Sequence, residues 1–288
     1  MKYPATGIAT LCKLFGKTRD AYYKSKVFHQ ERDWETEIIL ETVREIRKFQ
    51  PEMGVHKLDN EIKLRFDDLG IVIGRNRLNE LLRDRNLLVR PRRKQPRTTN
   101  SFHRYRKWPN LTVGLVPSRP EELLVSDITY WRIPRGFIYV SLITDAYSRM
   151  ILGHHVCENL YATGPLLALE MALENRIYPD KEMIHHSDRG VQYCSNDYVA
   201  MLQQHAIKIS MTQSGDPTEN PVAERVNGIL KQHFGLPRTF DSHQSAVQPI
   251  AKAIETYNHK FPHGSINYLK PYQAHRISGP IKNRWKKK

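Results

Sequence analysis

An α/β domain built on a mixed five-stranded sheet, preceded by an all-α region, is the fold that this 288-residue sequence predicts. Three observations lead there. Residues 1 to about 90 carry apolar periods at helical spacing. A basic stretch punctuated by Pro and Gly follows, from Pro91 to about Pro120. Beyond it three β-rich segments run in succession, and then helices and short strands alternate.

In the first region, Ile8 to Phe15 and Thr18 to Lys26 read as a small helical hairpin about Gly16, with Thr18 as an N-cap. Trp34, Ile38, Val43, Ile46 and Phe49 mark one stripe of a longer helix that Pro51 stops. Leu58, Ile62 and Phe66 lie at i, i+4 and i+8; DDLGIVIG then turns the chain, and Leu78, Leu81 and Leu82 give the next apolar face. That last helix carries Arg75, Arg77, Arg83 and Arg85 on its other surfaces. The arrangement suits a helix-turn-helix whose final helix faces a DNA groove, and equally a solvated helix that happens to be basic.

From Asn86 to Lys107 eight basic residues stand without a single acid: Arg90, Arg92, Arg93, Lys94, Arg97, Arg104, Arg106 and Lys107. Phe102, Tyr105 and Trp108 are mixed in, so this linker can lie along nucleic acid by charge plus stacking. A plain solvated tether is compatible with the same residues. After it, ELLVSDITYWRI, GFIYVSLITDAYS and MILGHHVCEN read as a three-stranded meander. GPLLALEMALENR is a helix, KEMIHHSD a short strand, SNDYVAMLQQHA a helix capped by Ser195, and KISMT another strand. The loop QSGDPTENP leads to a helix through about His233, and Ser245 to Tyr257 supplies the last one. This order matches the ribonuclease H-like fold. The expected division is a helical segment over 1–30, a helix-turn-helix domain over 31–90, a basic linker over 91–119, a catalytic core over 120–275 and a basic tail over 276–288.

The 45 Lys and Arg against 30 Asp and Glu give a net charge of +15 and a pI near 9.7. A polyanionic partner is the physical implication, because neutralising phosphates releases counterions, although ribosomal and membrane-surface proteins share such a balance. Cys12, Cys157 and Cys194 are odd in number, far apart and free of any CxxC spacing, which points to a reduced compartment and away from structural zinc. The N-terminal residues lack the apolar core of a signal peptide, and no run is long enough to span a bilayer. A cytoplasmic protein without a membrane partner is expected.

Three acids carry the chemistry. Asp127 lies mid-strand in VSDITY, where an unpaired carboxylate would cost several kcal/mol in desolvation, so it wants a cation. Asp188, in IHHSDRGVQY, ends a strand before Gly190, which lets the chain turn and leaves the carboxylate at the rim of the sheet. Glu224, in ENPVAERVNGILK, sits near the start of a helix that Asn220 or Thr218 caps and that admits Pro221 only in its first turn. At about 100° per residue, Asn220, Asn227, Gly228 and Lys231 share the Glu224 side, while Val222, Val226, Ile229 and Leu230 form the opposite, buried side. Each acid alone suits an ordinary surface or turn residue. Together, from a strand, a strand end and a helix, they suit two divalent cations held against a phosphodiester. The pairs His154-His155 and His185-His186 point to opposite faces of their strands and read as structural.

HSDRGVQYCS (186–195), SGDPTENPVAERVNGILK (214–231) and YNHKFPHGSINYLKP (257–271) resemble the OrfB-type transposases of bacterial insertion sequences, whose core is similar to retroviral integrase. DITYW (127–131) resembles the first acidic motif of that family, and residues 36–90 its upstream helix-turn-helix. One departure is Phe261, near a place where the family often has Arg. The resemblance implies a DDE site of Asp127, Asp188 and Glu224 holding two Mg²⁺ ions, with Mn²⁺ as a substitute. It further implies a DNA contact by Lys231, added to those expected of Asn220 on the same helix side and of Arg75, Arg77, Arg90, Arg92, Arg93, Lys94 and Arg97. The activity implied is cleavage at element ends followed by strand transfer. The implied partners are double-stranded DNA, further copies of the chain on that DNA, and an OrfA partner or fusion. The rival readings are a ribonuclease H-like nuclease without strand transfer and a catalytically inactive DNA-binding regulator.

Overall fold

Strand β1, Leu123–Ile133, is the centre about which the chain organises, and its LLVSDITYWRI sequence is rich in the β-branched and aromatic residues that pack on a pleated surface. In the computed structural model, which describes residues 7–66, 72–89, 104–213 and 219–281 with the side chains of 25–33 left aside, β1 pairs with two neighbours. Strand β2, Gly136–Asp145, runs antiparallel to it, from Leu124 opposite Asp145 to Ile133 opposite Gly136. Strand β3, Ile151–Cys157, continues the meander antiparallel to β2. On its other side β1 pairs in parallel with the short β4, Ile184–Ser187, which pairs in parallel with β5, Lys208–Met211. The resulting order, β3-β2-β1-β4-β5, is that of the ribonuclease H-like fold.

The helices are written α1 Ile8–Leu14, α2 Arg19–Phe49, α3 Val55–Phe66, α4 Arg75–Asp84, α5 Thr163–Glu174, α6 Asn196–Gln204, α7 Pro221–His233, α8 His243–Lys260 and α9 Pro271–Ala274. Side chains alternating along the strands feed two cores. Leu124, Ile143 and Leu152 pack with Ala168, Leu169 and Ala172 of α5 and with Tyr198 and Leu202 of α6. On the opposite face, Trp131, Ile138, Val140 and Leu142 pack with Val226, Ile229 and Leu230 of α7 and with Ile250 and Ile254 of α8. The helical region joins this second core through Ile39, Val43, Leu58, Ile62, Leu78 and Leu82. Polar ties reinforce the junction: Gln50 Nε2 donates to the Lys260 carbonyl at 2.9 Å, and His233 Nδ1 meets the Glu52 carbonyl at 2.8 Å.

Several expectations need correction. The hairpin helix from Thr18 and the longer helix through Trp34 are one helix, α2, because no Gly or Pro interrupts residues 19–49. The division at residue 30 therefore falls inside α2. Thr18 does cap it, accepting from Ala21 N at 3.0 Å. Trp34 and Phe49 are exposed, and the buried stripe of α2 is Ile39, Leu40, Val43 and Ile46. The last long helix starts at His243, where Ser242 and Ser245 form a reciprocal cap, and it extends to Lys260. Most of the turn 67–74, residues 90–103 of the basic linker and residues 282–288 of the tail lie outside the described residues.

Candidate active site

The parallel ladder between β1 and β4 ends with Val125 opposite His186. Carried two residues further, the same register puts Asp127 level with Asp188 on neighbouring chains, whose spacing in a sheet is about 4.8 Å. Asp127 accepts from Ile128 N at 2.9 Å, and Asp188 accepts from Gly190 N at 2.9 Å. Gly190 has no left-handed backbone, and its place here leaves room for the polar tips of two neighbouring side chains. A Cβ there would come within 2.9 Å of Asp188 Oδ1 and 3.0 Å of Gln192 Oε1.

Helix α7 lies across these strand ends. Pro221 stands in its first turn and Asn220 at its N-cap position, but the Asn220 side chain does not cap the helix. Its amide donates instead to the Ser126 carbonyl at 3.0 Å, fastening the start of α7 beside Asp127. Two turns on, Asn227 Nδ2 donates to Asp127 Oδ2 at 2.5 Å. Glu224 is four residues after one Asn and three before the other, so it occupies the same helix side. The burial of Val226, Ile229 and Leu230 gives α7 the amphipathic division expected of it, although Asn227 is buried too. Glu224 itself is exposed.

The electrostatics tie the acids together. Burial first, then the charge of Asp188 and, more weakly, that of Glu224 push the Asp127 carboxyl up to about 7. The Lys231 ammonium opposes this rise; it stands 4.6 Å from the Tyr130 ring centroid and 5.2 Å from that of Trp131. Burial lowers the pKa of Lys231 itself, against the favourable pull of Asp127. The Tyr193 hydroxyl is raised well above its ordinary value by burial, then by Tyr198, Asp127 and Asp188, so it stays protonated beside them.

The histidines are structural neighbours of the site. His185 Nε2 lies 2.6 Å from Ser126 Oγ and 2.9 Å from the Tyr198 hydroxyl, and burial pushes its pKa down to about 3. His186 faces the other way, with Nδ1 2.8 Å from Ser210 Oγ and Nε2 3.1 Å from the Glu219 carbonyl. Among the described residues no three His, Cys, Asp or Glu side chains already stand in a metal-holding arrangement. The donor chemistry around Asp127 nevertheless fits a hard divalent cation: carboxylate oxygens that repel one another, with the Asn220 and Asn227 amide oxygens buried and unpartnered among the described residues. What the sequence reading missed is Asn227 as the partner of Asp127; its signal was the shared helix side with Glu224.

Arg75 is exposed and Arg77 half-buried on α4, whose Leu78 and Leu82 face the core. Arg90, Arg92, Arg93, Lys94 and Arg97 lie outside the described residues, as does Thr218. Phe261, the departure from the family pattern, is fully buried against Tyr257, Phe234 and His233, which makes it a core aromatic. No helix among the described residues is long and apolar enough to cross a membrane.

Two family models described as integrase core domain match this chain, over residues 117–217 and 205–271. The 31 kDa protein of insertion element IS600 from Shigella sonnei is 31% identical over 266 residues, 91% of this chain and 96% of the relative. The transposase InsF of insertion sequence IS3A from Escherichia coli K12 is 36% identical over 157 residues, 54% of each chain. Among solved structures, the HTLV-2 integrase catalytic core domain in complex with magnesium aligns with a TM-score of 0.43 and 17% identity, over 55% of this chain and 98% of that one. An alignment along nearly the whole IS600 protein, with integrase-core matches over the sheet and its covering helices, has one conclusion: this chain belongs to the insertion-sequence transposases with an integrase core.

Proposed function

We propose that Asp127, Asp188 and Glu224 form a DDE site at which this transposase cleaves DNA strands at the ends of its element and joins them to a target. The observation that carries the proposal is the junction of β1, β4 and α7. There Asn220 and Asn227 pin the helix over Asp127, and the charges of Asp188 and Glu224 both bear on that carboxyl. The set would hold two Mg²⁺ ions, with Mn²⁺ able to substitute, once the exposed Glu224 side chain turns inward. When bound, the ions supply Lewis-acid activation of the phosphodiester and of its attacking hydroxyl.

The chain's own residues do the rest. Asp127 is fixed in orientation by the Ile128 N–H and the Asn227 amide, and its raised pKa means that it must lose a proton to serve as a ligand. Lys231 places positive charge beside it, on a platform of Tyr130 and Trp131, where a DNA phosphate would approach. Water acts as nucleophile in cleavage and a liberated 3′-hydroxyl in joining, so both steps are one in-line displacement without a protein nucleophile. Arg75 and Arg77, together with the basic residues Arg90, Arg92, Arg93, Lys94 and Arg97, would bind the DNA; Asn220, buried with its amide on the Ser126 carbonyl, would serve the site by holding α7 in place. We further propose that copies of the chain assemble on paired ends and that an OrfA partner or fusion adds DNA binding.

The test is a strand-cleavage and strand-transfer assay on labelled element-end duplexes with Mg²⁺. Asp127→Asn, Asp188→Asn and Glu224→Gln should each abolish both products while leaving duplex binding in place. Full cleavage by any of the three overturns the site. Cleavage without joined products by the unsubstituted protein favours the nuclease reading, and binding without cleavage favours the regulator.

A further inference from the structure

Away from the acids, a cavity of about 490 Å³ opens between α3, α7 and the segment that follows α8. Its lining is basic: Lys57, Arg149, Arg225, His56 and His263 contribute, Tyr268 borders it, and among the described residues no carboxylate does. Gathering like charges in a half-buried space is unfavourable unless an anion joins them. The Lys57 ammonium rests 3.2 Å from the centroid of the Phe261 ring. Burial, with Arg225 nearby, pushes its pKa down to about 6. Arg149 Nε donates to Ser265 Oγ at 3.0 Å and its Nη1 to the Ala146 carbonyl. Asp145, whose charge reaches Arg149, is already engaged by Ser148 and His275.

His263 supplies an independent sign that something is to be bound. Its Nδ1 accepts from the Ser265 backbone N–H at 3.4 Å and lies 3.0 Å from Ser265 Oγ. The ring proton therefore sits on Nε2, and Nε2 is buried with no hydrogen-bond partner among the described residues. A buried donor left unmade costs about 1–3 kcal/mol. The backbone that carries the ring closes a tight loop, in which His263 N donates to the Leu269 carbonyl at 3.0 Å and the His263 carbonyl accepts from Tyr268 N at 3.1 Å, so a turn of the ring about its side-chain bonds is what brings the enclosed Nε2 to the cavity. Asn267 and Tyr268 hold that loop in left-handed conformations, with φ of 58° and 62°.

We infer that this cavity is a phosphate socket for a nucleic-acid strand, separate from the acidic site, in which Lys57, Arg149 and Arg225 neutralise one phosphate and His263 Nε2–H donates to its oxygen. Arg225 follows Glu224 directly on α7, so a strand crossing the first turns of that helix reaches both. The socket also joins the helical region, through Lys57 of α3, to the core, through Arg225 of α7. The inference rests on the family's action on DNA and not on the acid triad, so its test omits divalent metal.

With the full chain in chelator, the affinity for a labelled duplex is measured as a function of KCl. Arg225→Gln should lower the slope of log K against log salt by up to about 0.9, the contribution of one duplex phosphate, and Lys57→Met, which removes a second contact to the same phosphate, should lower it by no more than that. Arg225→Lys, which keeps the charge, should retain the slope. Arg225 is exposed, so its variants test the idea even if Lys57→Met fails to fold. In ¹⁵N spectra, the His263 Nε2–H resonance should shift when duplex is added. Unchanged slopes for Arg225→Gln, or a His263 resonance that ignores DNA, overturns the proposal. So does thermal stabilisation by inorganic phosphate or a free mononucleotide that depends on Arg225 while the DNA slope does not, because the occupant would then be a free phosphate compound.

Discussion

Asn227 reaches across from α7 to donate its amide to Asp127 on β1 at 2.5 Å, joining residues that lie 100 positions apart. The bond sets more than the carboxylate's orientation. Because Asn227 is one turn beyond Glu224, it also fixes the rotation of α7, and with it the direction from which Glu224 approaches. Asn227→Ala should therefore destabilise the fold at pH 8, where Asp127 is ionised, by about 1.5–3 kcal/mol, the range for a hydrogen bond to a charged group, and slow strand cleavage as well. Asn227→Asp should be worse for catalysis, since it puts a third negative charge against Asp127, beside those of Asp188 and Glu224. Urea unfolding and a cleavage time course on both variants check this, and wild-type cleavage by Asn227→Asp would contradict it.

The Asp127 carboxyl offers a pH test. Its folded pKa of about 7 lies above the ordinary value of 3.8, so the metal-free folded state holds a proton that the unfolded chain releases between those limits. Stability from this group is present below pH 4 and is lost as pH rises through 7. Asp127→Asn removes that liability. In chelator at pH 8 it should be more stable than the unsubstituted protein by on the order of 2–4 kcal/mol, and the difference should vanish near pH 4. Equal unfolding midpoints of the two proteins at both pH values would show that burial and the neighbouring acids do not raise the Asp127 carboxyl in this way.

Much of this arrangement was legible because it is local. The strand meander, the cap at Ser195 and the end of α7 at His233 follow from alternation, a small hydroxyl residue and helical period, and the structure has all three. The sequence also separated the two sides of α7. What it could not display were contacts between distant segments. Trp34 has the right period for a buried stripe, yet it is exposed, and Ile39 and Leu40 take the buried role instead. Asn220 looks like a cap, but the Ser126 carbonyl lies within reach of its amide and takes the hydrogen bond. Lys57 and His263 share a cavity although they lie 206 positions apart, and the local sequence of neither points to the other.

The same blindness hid a buried ionic cluster at the base of the sheet. His275 Nδ1 lies 3.1 Å from Asp145 Oδ2 and its Nε2 3.3 Å from Glu121 Oε1, while Arg176 Nε meets Glu121 Oε2 at 2.9 Å. Burial alone would lower the His275 pKa, but its two carboxylate partners outweigh that and raise it. Burial would likewise raise Glu121, but bonds from His275, Ile177 N and Arg176 bring it down. The His275 contribution is thus complete below pH 6.5 and lost as pH rises through its raised folded value; that of Glu121 is present above pH 4.5 and lost as pH falls through its lowered one. His275→Phe should cost about 3–5 kcal/mol at pH 6 by leaving two buried carboxylates short of a cation. Denaturant unfolding across pH 4–9 should give the unsubstituted protein a maximum between those limits and flatten its alkaline side in His275→Phe.

Gly153 poses the sharpest packing constraint. It lies inside β3, where glycine weakens a strand unless another backbone needs the room. Here α5 takes it: a Cβ on Gly153 would fall 1.9 Å from the Ala168 carbonyl oxygen and 2.8 Å from Ala172 N. Neither is the yielding tip of a side chain, so relief requires α5 to move away from the sheet. That movement would loosen Ala168, Leu169 and Ala172 from Leu124, Ile143 and Leu152. Gly153→Ala should therefore destabilise by about 1–3 kcal/mol or more, the cost of overpacking a core that cannot adjust locally. Gly228→Ala is the matched control, since a Cβ there meets nothing within 4 Å and replaces glycine in a helix. It should leave stability unchanged or raise it by up to about 1 kcal/mol. If thermal midpoints of the two variants moved together, the close seating of α5 on β3 would be refuted.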